Sequence, residues 1–261
     1  MIKTATLSSI LIFVFSALND DLHPIPTDTV KDIENNQYQT VLINYQEWMT
    51  TNLRVTMYND GTKITNSDNN NASAGSFTSE GAYFIYSNID VDSVNSETEI
   101  IEMYGALYNW YAVNDPRGIC PEGWRIPSDA DWTRLAAHLI SQYDVVTANN
   151  LGNMLKSCRQ SGSHKEGDCY TDIHPRWDHP DRWIGEKQFG TDKFGFTALP
   201  GGYRNTDGTF AGLGTIGFWW TSNDYSDVYA WHRSIDLAGS NIGRSYADKA
   251  LGFSVRCIKD I

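Results

Sequence analysis

Four cysteines constrain this chain more than any other feature: Cys120, Cys158, Cys169 and Cys257. An even cysteine count behind an export-like N-terminus reads as a disulfide framework, and four cysteines allow three pairings. The short stretch "CRQSGSHKEGDC" favours Cys158 with Cys169. That leaves Cys120 with Cys257, a bond that would clamp the middle of the chain to its last strand. The rival use is a zinc site from Cys158, His164, Cys169 and His174. Its spacings of five, four and four intervening residues match no compact CxxC knuckle.

The export signal is the N-terminus itself, "MIKTATLSSILIFVFSALNDD". Residues 1–20 carry one lysine, an apolar run Leu7 to Phe15 and then small residues, the layout of a secretory signal. Cleavage is expected after Ser16 or Ala17; the competing reading is a buried N-terminal helix. No cysteine follows the apolar run, so a lipid anchor is not expected there. Residues 21–40 are polar with two prolines and read as an exposed leader, which sets the domain at 41–261. At 41% hydrophobic and 13% aromatic residues over 261 positions, the chain has ample material for a core. A net charge of −12 with no basic run argues against nucleic acid and anionic membrane surfaces. No long apolar stretch follows the N-terminus, so no membrane span is expected in the mature chain.

Local patterns give a coarse order of elements. Leu53, Val55 and Met57 alternate into Asn59-Asp60-Gly61, a strand entering a turn. Residues 65–80 are polar and of low complexity, a surface loop. In "MYGALYNWYAV", Tyr104, Leu107, Tyr108 and Tyr111 recur at helical spacing. Ser128 stands three residues before Asp131, a helix-capping pattern. Trp132, Leu135, Ala136, Leu139, Ile140 and Tyr143 then follow on one helical face. Ser128, Asp129 and Asp131 therefore have a structural role at a helix start, and Trp124 and Trp132 are expected in the core. The last third is glycine-punctuated strand, with a hairpin turn at Asp207-Gly208 and a closing strand from Leu251 to Ile258. Few helices and many short strands predict an α+β domain with an irregular antiparallel sheet.

Seven segments occur in order: "EWMTTNLRVTMYNDGT", "YGALYNWYAV", "CPEGWRIPSDADWTRL", "GNMLKS", "FGFTALPGGYRNTDGTF", "GFWWTSN" and "GFSVRCIKD". Together they resemble the Fibrobacter succinogenes major paralogous domain over about residues 45–261. The resemblance implies a C-type lectin-like fold in the branch related to formylglycine-generating enzyme. That fold has two helices beside a twisted antiparallel sheet, with adjacent terminal strands. It also implies a secreted, cell-surface or periplasmic location in a bacterium of the Bacteroidetes or Fibrobacteres.

Three functions are weighed, the first two implied by the resemblance and the third read from the residues. An oxidoreductase of the formylglycine-generating kind needs a pair of C-terminal cysteines, and only Cys257 lies in the closing segment; no hydrolase motif stands out either. A calcium-dependent lectin finds a faint match in Asn223 and Asp224 of "WWTSND", without the partner loop. Calcium is thus the one cofactor under consideration, and no metal ligands are assigned. The preferred reading is a non-catalytic binding or adhesion module for a protein or glycan. Its candidate ligand residues are Asn223, Asp224, Tyr225, Asp227, Tyr229, Trp231, Arg233, Asn241, Arg244 and Tyr246, together with Trp219 and Trp220. Rigid aromatics among adaptable polar groups give contact area at low entropic cost. Trp219 and Trp220 are expected in the core. Tyr225, Tyr229 and Arg244 are expected at the surface, Tyr225 on a loop spanning Thr221 to Asp227 and Arg244 on a second loop over 239–246.

Overall fold

The computed structural model describes residues 28–67, 79–86, 94, 96–159, 161, 169–178 and 190–260. The signal-like segment, the start of the leader, most of the stretch 65–80 and His164 lie outside these residues. The fold is α+β, built mostly of antiparallel sheet with few helices. Strands β1 (Asp28–Lys31), β2 (Gln37–Ile43), β3 (Gln46–Met49) and β12 (Ile258–Asp260) form a sheet in the order β1-β2-β3-β12. The first and last strands of the domain thus share one sheet. Strands β4 (Thr65–Asn66), β5 (Ala82–Phe84) and β6 (Leu107–Tyr108) make a small second sheet. The third holds β7 (Gly201–Arg204), β8 (Phe210–Leu213), β9 (Ile216–Asp224), β10 (Tyr229–Asp236) and β11 (Gly243–Asp248). Its order is β11-β10-β9-β7-β8. Helices α1 (Glu97–Tyr104), α2 (Trp110–Val113), α3 (Asp129–Gln142) and α4 (Leu151–Leu155) punctuate these strands.

Trp219 and Trp220 show how the third sheet organises the interior. They are neighbours on β9, so their side chains leave opposite faces of the pleat. Trp219 joins Trp48, Trp132 and Phe196 in one buried cluster; Trp220 joins Tyr108, Phe253 and Val55 in another. Both are fully buried, and both indole N–H groups are used. Trp219 Nε1 donates to Asn52 Oδ1 at 2.9 Å, and Trp220 Nε1 donates to the Tyr108 carbonyl at 2.7 Å. A buried indole removes about 200 Å² from water, roughly 5 kcal/mol against an extended chain.

Three expectations need correction. The leader reading fails from residue 28 onward, because β1 and β2 lie there and Tyr38 is fully buried. The Tyr38 hydroxyl donates to Asp32 at 2.6 Å, and the same carboxylate accepts the amides of Glu34 and Asn36 at 2.9 Å each. That turn explains the polar sequence: its polar groups are satisfied locally. The helix expected across "MYGALYNWYAV" breaks at Gly105, whose φ of +79° ends α1. A Cβ there would come within 2.6 Å of the Asn52 side chain. Leu107 and Tyr108 are then strand, and Asn109 caps α2 by accepting from the Ala112 amide at 3.0 Å. Helix α3 starts where expected, with the reciprocal Ser128–Asp131 capping box. Only Trp132, Leu135 and Leu139 of its apolar stripe are buried, while Ile140 and Tyr143 face solvent.

Both disulfides pair as expected. Cys120–Cys257 joins residues 137 positions apart with Cα atoms at 5.8 Å, and Cys158–Cys169 closes a loop of separation 11. The second bond consumes both thiols of the zinc alternative.

Candidate functional site

The candidate face is the outer surface of β10 and β11 where it emerges from under α3. Along β10, Ala230 and His232 point into the core, and the alternate residues point the other way. On that outer side Ile235 is buried under α3, Arg233 bonds to the first turn of α3, Trp231 is half-buried and Tyr229 is exposed. Opposite them in the antiparallel register stand Arg244 against Arg233, Tyr246 against Trp231 and Asp248 against Tyr229. Directly opposed residues share a face, so β11 adds Arg244 and Tyr246 to the same surface.

The β9–β10 hairpin folds a fourth aromatic onto this surface. The Tyr225 amide donates to the Tyr229 carbonyl at 2.8 Å, which tightens the tip. The Tyr225 ring stacks on Tyr246 with centroids 4.1 Å apart and planes 4° from parallel. Trp231 meets Tyr225 edge-on at 5.2 Å, and Tyr229 meets Tyr246 at 5.6 Å. Tyr225, Tyr229 and Tyr246 remain 50%, 41% and 46% exposed, so the cluster is packed within itself and open above.

Charge is arranged around the rings. Asp129, the first residue of α3, accepts from Arg233 Nε at 2.9 Å and from Arg244 Nε at 3.1 and 2.9 Å. Arg233 also donates to the Asp129 carbonyl and to Thr133 Oγ1 at 2.9 and 2.8 Å. Burial lowers the Arg233 pKa, with Asp129 opposing the shift. The Arg244 guanidinium lies 3.8 Å from the Trp231 ring centroid, a cation–π contact. Below Asp129, the Asp131 carboxylate is buried among Arg125, Arg134, Ser128 and Gln46. Burial alone would raise its pKa, but the bonds from Arg125 and Ser128 outweigh it and hold the carboxyl at about 2.

The sequence-derived set therefore divides. Tyr225, Tyr229, Trp231, Arg244 and Tyr246 come together on one face. The predicted loops do not: Thr221 to Asp224 continue β9 with Thr221 buried, and Arg244 and Tyr246 belong to β11. Only Tyr225 to Val228 form the tip. Arg233 is buried, with its Nε and one terminal nitrogen taken by Asp129 and Thr133. Asn223 and Asp224 do not converge: Asn223 Oδ1 accepts the Asp129 amide at 2.8 Å, and Asp224 lies 4.0 Å from Lys249 Nζ. No group of three or more His, Cys, Asp or Glu poised for a metal exists among the described residues. Asp227 projects from the hairpin tip. Asn241 is remote from the rings, on the turn that packs against Gly152 of α4. The part played by Asp129 goes beyond the helix start and dipole role that its sequence position implies. The available signal was a second acid in the first turn beyond the one the cap needs.

Comparison with known proteins adds a family. Residues 41–259 match the model described as the Fibrobacter succinogenes major domain. No curated protein and no solved structure matches the chain. That match spans the domain from β2 to β12 and covers well over half of the sequence, so the chain belongs to the Fibrobacter succinogenes major domain family.

Proposed function

We propose that this protein is a non-catalytic, exported ligand-binding or adhesion module that uses the Tyr225–Tyr229–Trp231–Tyr246 surface to hold a glycan or protein. One observation carries the reading: four aromatic rings contact one another on an open sheet face, and half of each tyrosine remains in solvent. Contiguous exposed aromatic surface of this kind marks interaction sites on soluble proteins. The rings brace one another, so a ligand would pay little ordering entropy on binding. Thiol chemistry of the formylglycine-generating kind has no donor, because all four cysteines are paired. The paired cysteines also favour a location outside the reducing cytoplasm, on the cell surface or in the periplasm. No helix among the described residues is long and apolar enough to cross a membrane. The pairing of β3 with β12, and a helix-flanked antiparallel core, are what favour a C-type lectin-like arrangement within α+β.

The test is a glycan and protein array probed with the purified domain and with the Tyr225→Ala and Tyr229→Ala variants. Each variant should weaken a bound ligand by about 1 kcal/mol or more, as aromatic hot spots do. Its melting temperature should barely move, because both rings are half exposed. Ligand binding that ignores both substitutions would place the site elsewhere.

A further inference from the structure

Within this face one cation is held firmly and left half unused. Arg244 is fixed at Nε by both oxygens of Asp129 and at its plane by the Trp231 ring. Its two terminal nitrogens make no hydrogen bond among the described residues, and the side chain is 48% exposed. Asp129 also answers the buried Arg233, so a single carboxylate serves two guanidiniums. The trio carries a surplus positive charge, and Arg244 is the member that reaches solvent. The other end of the face is acidic, with Asp224 exposed at the end of β9 and Asp227 at the hairpin tip.

We propose that Arg244 anchors the carboxylate of an acidic saccharide, of the uronate or sialate kind, whose ring rests on the neighbouring tyrosine surface. This deepens the reading of the face as a ligand site and rests on it. A guanidinium presents paired donors in a planar fork that matches a carboxylate, and here the fork is oriented before the ligand arrives. Arg244 and Tyr246 alternate on β11, about 7 Å apart at the usual strand rise. That separation suits one guanidinium–carboxylate contact followed by half of a sugar ring, whose C–H face packs on an aromatic plane. The acidic hairpin tip repels the carboxylate end and so sets the ligand's direction. A polyphosphate is disfavoured, because it lacks the C–H ring face that packs on the tyrosines beside the single available fork. A peptide terminus would make the same fork contact. The stacked Tyr225–Tyr246 pair, which cannot part without losing its own contact, fits a flat rigid ring better than a flexible chain.

Calorimetric titration of the purified protein tests this with four saccharide probes and one peptide. The probes are a galacturonate oligomer, its methyl ester, sialyllactose, lactose, and a short peptide with a free C-terminal carboxylate. An acidic probe should bind wild type roughly tenfold tighter than its neutral counterpart, the factor expected of a charge-assisted contact. Arg244→Gln should bring the acid down to the neutral probe's affinity with only a small drop in melting temperature, since the contacts it gives up lie at a half-exposed site. Equal affinity of acid and neutral forms, an acid preference that survives Arg244→Gln, or no saccharide binding would each overturn the proposal. Arg244-dependent binding of the peptide alone would overturn the saccharide assignment. Neutral saccharide binding that is lost in Tyr225→Ala would keep the face as a ligand site while the carboxylate anchor fails. Acid binding insensitive to both Tyr225→Ala and Arg244→Gln would remove the face as well.

Discussion

His232 lies directly beneath the candidate face, on the core side of β10, and its ionisation opposes folding below neutral pH. Its ring is surrounded by Phe218 at 5.2 Å, Phe253 at 5.1 Å and Trp220 at 6.3 Å, and its Nδ1 has no hydrogen-bond partner among the described residues. Burial disfavours the imidazolium there and pushes the pKa from 6.5 to about 4. In the unfolded chain the imidazole takes up a proton below pH 6.5, whereas the folded protein does so only near 4. The unfolded state therefore binds more protons throughout that window, and stability falls as pH drops through it. The loss attributable to this one group approaches roughly 3 kcal/mol at the acid end. His232→Phe should remove that dependence at a cost below about 1.5 kcal/mol at pH 8, since it nearly conserves volume. Urea unfolding at pH 8, 6 and 4.5 checks this: the variant should gain on wild type as pH falls, and parallel curves would contradict it. Asp131 titrates in a separate window. Its depressed pKa contributes stability that is full above its ordinary value of 3.8 and is lost from there down to about 2.

At the scale of elements, the first turn of α3 does two jobs on adjacent residues. Ser128 and Asp131 close the capping box, while Asp129 points to the sheet and joins α3 to β10 and β11. Ser128→Ala should cost about 0.5–2 kcal/mol, the usual value of an N-cap, and leave ligand affinity intact. Asp129→Asn should cost more, roughly 3 kcal/mol, because Arg233 is buried and loses the carboxylate that pairs with it. Urea midpoints of the two variants order the effects, and a smaller loss in Asp129→Asn than in Ser128→Ala would refute the coupling. The cap was legible because it depends on residues three apart. The role of Asp129 was not, because its partners lie 104 and 115 positions away. Tyr225 and Tyr229 were legible as surface residues from the polar run between them, and their stacking against Tyr246 was not. Strand β11 reads as a loop because "GSNIGRSY" has no apolar alternation. An edge strand exposed to water does not need any, since only its pairing with β10 fixes it. The same holds for the edge strand β1, which leads into the Asp32 turn, whereas β2 lies inside its sheet and buries Tyr38, Val41 and Ile43. Gly105 was visible in the sequence, yet the helical spacing around it was the stronger signal; the clash with Asn52 that makes the break obligatory is a tertiary fact.

At the scale of the whole molecule, the two disulfides should differ sharply in what they hold. Cys120–Cys257 spans 137 positions and ties the segment before α3 to the residue that leads into β12, beside the β3–β12 pairing that closes the domain. Both of its cysteines are buried, and the Cys257 carbonyl accepts the Met49 amide at 3.1 Å. Cys158–Cys169 spans 11 positions, and both of its cysteines are partly open to solvent. In the chain-entropy picture the long closure stabilises by about 5 kcal/mol and the short one by about 3 kcal/mol. Access separates them further, because exchange requires a thiolate to reach a disulfide sulfur. Mild reductant should therefore open Cys158–Cys169 first, with little loss of the tryptophan core. Cys120–Cys257 should open only with global unfolding, since both cysteines are buried in the same core cluster as Met49, Val55 and Phe253. Timed alkylation with mass spectrometry, followed alongside tryptophan fluorescence, measures both steps. Labelling of Cys120 and Cys257 should track the fluorescence change, and labelling of Cys158 and Cys169 should precede it. Simultaneous labelling of all four cysteines would mean that the short disulfide is as much a part of the cooperative fold as the long one.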